Sequence, residues 1–235
     1  MARILWANPV GTSAFDRDTE DLIEVVRLPE FEPVVRSLAV GPPHLEYHTY
    51  EHEALGPMLE LFREAETEGC SAGIIGCFYD GGLRELRELV RMPVVGMAEA
   101  ALALAATMGH RFSIVVGRRK WIPKMHDNVL LYGHERRLAS FRSVEMGIPE
   151  VAEDPDLFFD RCIEEGRRAV EEDGAEVVVL SEIASPQFWE RAAKEMEAPI
   201  VDPGVACWKF AEMTGDLYER LRLSHSKVGG YEPPP

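Results

Sequence analysis

The chain has 235 residues, of which 46% are hydrophobic and 28% charged, so it can bury a core and is too apolar for general disorder. Against 25 basic residues stand 41 acidic ones, a net charge of -16 that repels nucleic-acid backbones and anionic membranes. No apolar run reaches the ~18 residues of a membrane helix, and the apolar stretch before Pro9 is too short for a secretory signal. Four cysteines with no CxxC pair fit a reducing compartment, and a cytoplasmic location is expected.

In chain order, the first predicted strand is Ile4–Ala7, ending at Asn8-Pro9. Asp16, Asp18, Glu20 and Asp21 form a charge run, expected to be a solvated face. Val34–Val40 is the second predicted strand. His44, His48 and His52 recur at four-residue spacing, which on a helix could serve a metal. Pro42 and Pro43 adjoin them, however, so a solvated turn and helix start is expected and no metal site. Ala54, Leu55, Met58, Leu59, Phe62 and Ala65 then follow helical spacing.

Gly73–Cys77 is the third predicted strand, followed by helix marked by Leu83, Leu86 and Val90. Further strands are predicted at Val94–Val95, Phe112–Val116, Glu176–Leu180 and Ile200–Val201, with helix over Trp121, Met125, Val129 and Tyr132. The alternation predicts an α/β fold with parallel sheets flanked by helices. The tail from Gly229 to Pro235 is too rich in Gly and Pro for a helix and is expected to be an extended arm.

An internal repeat divides the chain. Pro93-Val-Val-Gly-Met-Ala-Glu-Ala100 leads to Gly109, and Pro199-Ile-Val-Asp-Pro-Gly-Val-Ala206 leads to Gly215. Pro93 to Pro199 and Gly109 to Gly215 both span 106 residues. Two similar lobes related by a pseudo-two-fold axis are therefore expected, residues 1–97 with 205–235 and residues 98–204, with an active-site cleft between them. Ligands in open α/β sheets bind beyond the carboxyl ends of strands. The strand ends at Cys77 and near Glu182 are equivalent under the repeat and would approach one bound molecule from opposite sides.

Cys77 stands in a Gly-bearing turn after a buried strand, just before a predicted helix whose free amides would favour a thiolate. Cys162 and Cys207 lie within helical patterns and are expected in the core, and Cys70 has no evident role. Glu182 follows the strand ending at Leu180 and precedes Ser185-Pro186, a helix start. The cluster Gly117-Arg-Arg-Lys120 after a strand could hold an anion. No dinucleotide, P-loop, serine-hydrolase or zinc-protease motif occurs.

Five segments in order resemble the aspartate/glutamate/hydantoin racemase superfamily, and within it the hydantoin and allantoin racemases. They are Ile4 to Ser13 with its Asn-Pro turn, Gly76-Cys77-Phe-Tyr-Asp80-Gly-Gly-Leu83, and Pro93-Val-Val-Gly96 with Glu99-Ala100. The stretch from Tyr132 through Arg137, Ser140 and Arg142 and the ending Ser226 to Tyr231 complete the set. The resemblance implies two lobes, no cofactor, and two cysteines that exchange a proton on opposite faces of the substrate. Cys77 matches the first, with Gly81 where the family usually has Pro; Glu182 stands where the second is expected. Catalytic roles are thus expected for Cys77 and Glu182, and substrate contacts for Asn8, Phe78, Tyr79, Val116, Gly117 and Ile183.

The expected activity is cofactor-independent racemisation or epimerisation beside a carbonyl of a hydantoin-like or amino-acid-derived molecule, by proton transfer between Cys77 and Glu182. The alternatives are a decarboxylase of the arylmalonate type or a cis-trans isomerase using Cys77, and a binding protein without catalysis. Glu182 weighs against the decarboxylase, since it would repel a departing carboxylate. A small-molecule substrate, neither nucleic acid nor membrane as a partner, and a homo-oligomer are expected.

Overall fold

Strand β1 (Ala2–Asn8) lies between β2 (Phe31–Ser37) and β3 (Cys70–Ile75), and β4 (Val94–Gly96) extends the sheet beyond β3, in a computed structural model that describes residues 1–234. All pairings are parallel, with Ala7 opposite both Arg36 and Ile75. β3 is buried along its whole length, as expected of a central strand covered by helices on both faces. The connecting helices are α1 (Asp16–Val26), α2 (His48–Thr67) and α3 (Leu83–Leu89).

A second sheet repeats this order. β5 (Phe112–Val116) lies between β6 (Leu138–Ser143) and β7 (Val177–Leu180), and β8 (Ile200–Val201) follows β7, again all parallel. Its helices are α5 (Ile122–Leu131), α6 (Ile148–Glu153), α7 (Pro155–Asp173) and α8 (Pro186–Glu195). The chain divides into two compact units, Met1–Met97 with Cys207–Pro235, and Ala98–Ala206. The divisions fall within α4 (Met97–Met108) and α9 (Pro203–Leu221).

Each sheet is anchored by large side chains with no solvent contact, including Ile4, Leu5, Trp6, Ile74 and Ile75 in the first and Phe112 and Ile114 in the second. Burying each such aliphatic side chain stabilises the fold by about 1.5–3 kcal/mol. No described helix is long and apolar enough to cross a membrane.

The structure departs from the sequence reading at several places. The third strand begins at Cys70 and stops at Ile75, so Cys77 lies in the following turn rather than on the strand. The second strand stops at Ser37, short of Val40. β6 was not foreseen from the pattern, because Leu138-Ala-Ser-Phe-Arg-Ser143 is half-buried at every position and shows no clean alternation. It is held as an edge strand by Arg142, whose guanidinium reaches Asp173 at 2.7 Å and Glu172 at 2.8 Å. Asp16 is not a merely solvated acid, since its Oδ1 accepts hydrogen bonds from Asn8 and Ser37.

His44 lies before α2 against the rings of Tyr47 and Tyr50, while His48 opens that helix. No group of three metal-binding side chains occurs among the described residues. Residues 222–234, which follow α9, are not helical. Lys227 donates to the carbonyls of Arg87, Glu88 and Val90 and so satisfies the C-terminal end of α3.

Candidate active site

In both sheets the connections reverse direction after the first strand, so β1 and β3, and likewise β5 and β7, flank a topological switch point. Crevices at such points, outside the carboxyl ends of the strands, are where α/β sheets bind ligands. The expected site residues all belong to these ends. Asn8 ends β1, and Cys77, Phe78 and Tyr79 form the turn after β3. Val116 ends β5 with Gly117 behind it, and Glu182 and Ile183 follow β7.

The last sheet bond is made in the same way in each unit. The N–H of Gly76 donates to Ala7 O at 2.8 Å, and the N–H of Ser181 donates to Val115 O at 3.0 Å. The next residue is Cys77 in one unit and Glu182 in the other. Both are half-buried. The correspondence that the sequence repeat indicated is therefore present in the hydrogen-bond ladder.

The Cys77 turn approaches β1 closely. A Cβ on Gly76 would lie 2.5 Å from Trp6 Nε1 and 2.9 Å from Asn8 Oδ1, so only glycine lets the chain pass here. Trp6 Nε1 donates to Asn8 Oδ1 at 2.9 Å, and Asn8 Nδ2 donates to Asp16 Oδ1 at 2.8 Å. This network fixes the amide of Asn8, a buried polar group that would be costly without partners. Phe78 is buried and Tyr79 half-buried. Helix α3 does not begin until Leu83, with Gly82 as its N-cap, so Cys77 lies outside its first turn. The expected support of a thiolate by that helix terminus is therefore not built in this form.

In the other unit, Val116 is buried and its carbonyl accepts the N–H of Val144 at 3.0 Å. Gly117 O accepts the N–H of Met146 at 3.0 Å, tying the end of β5 to the segment after β6. Of the neighbouring basic cluster, Arg119 is paired with Glu145 at 2.7 Å. Ile183 is half-buried, and Ser185 caps α8 by accepting the N–H of Phe188 at 3.3 Å.

The sequence reading assigns no site role to two groups near Glu182. Cys162, on α7, is 1% exposed. Burial pushes its thiol pKa up and the nearby Glu182 carboxylate pushes it further, so this thiol stays protonated. It is the one cysteine of its unit and is unsuited to act as a base. The other is Asp202, buried after β8.

Among the described residues, eight strands form two all-parallel sheets of like order, an α/β fold built twice over. The family model for Asp/Glu/Hydantoin racemase matches residues 4–211, and the chain belongs to this family. It is an isomerase. The hydantoin racemase of Pseudomonas sp. (strain NS671) is 32% identical over 232 residues, covering 99% of this chain and 92% of that protein. The allantoin racemase of Klebsiella pneumoniae superposes with a TM-score of 0.90 at 27% identity, covering 100% of this chain and 94% of that one. Allantoin racemase from Pseudomonas fluorescens gives 0.88 at 27% identity, with 99% and 97% covered.

Proposed function

We propose that the protein racemises hydantoin-like ring substrates without a cofactor, by proton transfer between Cys77 and Glu182. The observation that carries this reading is the equivalence of the two residues, each standing one position past the last sheet bond at a switch point. The names of the relatives point to hydantoins and allantoin as substrates. A neutral ring also suits a protein of charge -16 better than a dicarboxylate would.

In one direction the Cys77 thiolate removes the proton from the ring carbon, and the electron pair spreads onto the adjacent carbonyl. The protonated Glu182 then delivers its proton to the opposite face. The products are the other enantiomer, a neutral thiol and a carboxylate. The reverse direction starts from that second protonation state, so each enantiomer selects its own form of the enzyme. Main-chain amides of Phe78 and Ile183 would stabilise the enolate oxygens as charge develops. Asn8 and Tyr79 would orient the ring, and Val116 and Gly117 would wall it. Cys162, kept protonated, leaves Glu182 as the group with base chemistry on its side. A reduced Cys77 suits a cytoplasmic setting, and we assign the working form to a homo-oligomer, which light scattering would test.

The test is proton NMR in D2O over hydantoins, allantoin and free amino acids. Loss of the ring C–H signal with loss of optical rotation is expected for a hydantoin. Absence of exchange across all three classes would overturn the reading, and release of carbon dioxide from a malonate would replace it with the decarboxylase.

A further inference from the structure

The loop that carries Glu182 is held by a carboxylate from another strand. Asp202 directly follows β8 and is 6% exposed. It accepts the N–H of Val205 at 3.0 Å through Oδ1, the bond an N-cap makes to the first turn of its helix. The N–H of Gly204 also donates to this carboxylate. Oδ2 has partners that capping does not require. It accepts the N–H of Ala184 at 2.7 Å and the indole Nε1–H of Trp189 at 3.0 Å.

Burial raises the pKa of this carboxylate, and its partners, all of them donors, work against that rise by favouring the ionised form. Ala184 lies two residues beyond Glu182, and Trp189 lies in α8, which the loop enters. Ser181, on the other side of Glu182, has a buried hydroxyl with no hydrogen-bond partner. Ile183 also packs on the Asp202 turn, since a Cβ on Gly204 would lie 3.0 Å from Ile183 Cγ1. In the other unit the equivalent position is Gly96, which has no side chain to play this part.

We propose that Asp202 is a positioning residue: through Ala184 and Trp189 it fixes the main chain beside Glu182 and so sets the direction of that carboxylate. The inference rests on Glu182 being one of the two bases. Because Asp202 serves one loop, its loss acts on one face of the substrate. Asp202→Asn turns one acceptor into an N–H2 group facing donors, so at least one of these bonds breaks.

The experiment measures α-deuterium incorporation into each enantiomer separately, with thermal unfolding and amide exchange at Ala184 alongside. Asp202→Asn should remain folded, lose protection at Ala184, and lose exchange into the Glu182-served enantiomer by ~100-fold, the scale of a misplaced catalytic group. Exchange into the enantiomer served by Cys77 should stay close to the parent rate. An equal fall for both enantiomers, or no fall for either, would overturn the proposal. Parent protein that exchanges neither enantiomer would instead overturn the racemase reading, and this inference with it. If Asp202→Asn does not fold, Trp189→Phe removes one donor and should give a smaller loss with the same one-sidedness. Unchanged rates in a folded Trp189→Phe would then overturn it.

Discussion

The carboxylate of Asp80 lies where a side chain on Gly96 would begin: a Cβ there would be 2.7 Å from Asp80 Oδ2. Asp80 is 7% exposed, has a φ of 51°, and sits three residues after Cys77. The end of β4 therefore bears directly on the turn that presents the thiol. Gly96→Ala should force the carboxylate aside and cost about 1–3 kcal/mol, as overpacking does. Urea unfolding would measure the loss, with reduced turnover expected alongside. A variant as stable and active as the parent would mean that the turn yields freely.

Cys77→Ser should abolish turnover and leave the fold intact, because a hydroxyl is too weak an acid to supply the base at neutral pH. Circular dichroism and ring-proton exchange read the two effects separately. Exchange at the parent rate would remove the thiol from the mechanism.

Glu182→Gln keeps the shape of the side chain and loses the proton acceptor. The expected result is deuterium uptake into one enantiomer without interconversion, with racemisation lower by ~100- to 10,000-fold. Racemisation at full speed would make Glu182 a spectator and require another second base.

The stability of the first unit should depend on pH through His225. Its Nε2 accepts the N–H of Val94 at 2.8 Å, which requires the neutral ring. Burial, with Arg87 and Lys227 nearby, pulls its pKa down to about 4. The unfolded ring titrates near ~6.5, so between these values the unfolded chain binds more protons. The stability secured by a neutral His225 is therefore complete above ~6.5 and declines as pH falls toward about 4. Carboxylates held below their usual range, such as Asp173 beside Arg142, lose their contribution lower down, as pH falls from the ordinary carboxylate range toward their lowered values. His225→Gln should flatten the Tm profile between pH ~6.5 and about 4, leaving the more acidic limb. An unchanged profile would assign that slope to other groups.

Much of this protein is legible along the chain. Short apolar runs bounded by Gly and Pro placed seven strands, because a strand buried on both faces must be apolar throughout. The repeat beginning at Pro93 and Pro199 signals two like-ordered sheets, and it makes the strand ends at Cys77 and Glu182 equivalent. Each of those signals is local, or is a comparison of one local pattern with another.

What the tertiary structure decided involves groups distant in sequence. β6 is an edge strand held by Arg142 on Asp173, a partner supplied by α7 and absent from the strand's own pattern. Asp16 looked like one solvated acid among several until Asn8 and Ser37 met it from two strand ends. Cys162 reads as an ordinary core residue in its helix, and only folding brings Glu182 near enough to help keep its thiol protonated. Asp202 shows in the sequence only as part of the repeat from Pro199 to Ala206, while its bonds to Ala184 and Trp189 arise from the packing of three segments. A polar group's partners are chosen by that packing, and burial sets how much each lost bond costs, so neither could be read from the order of residues.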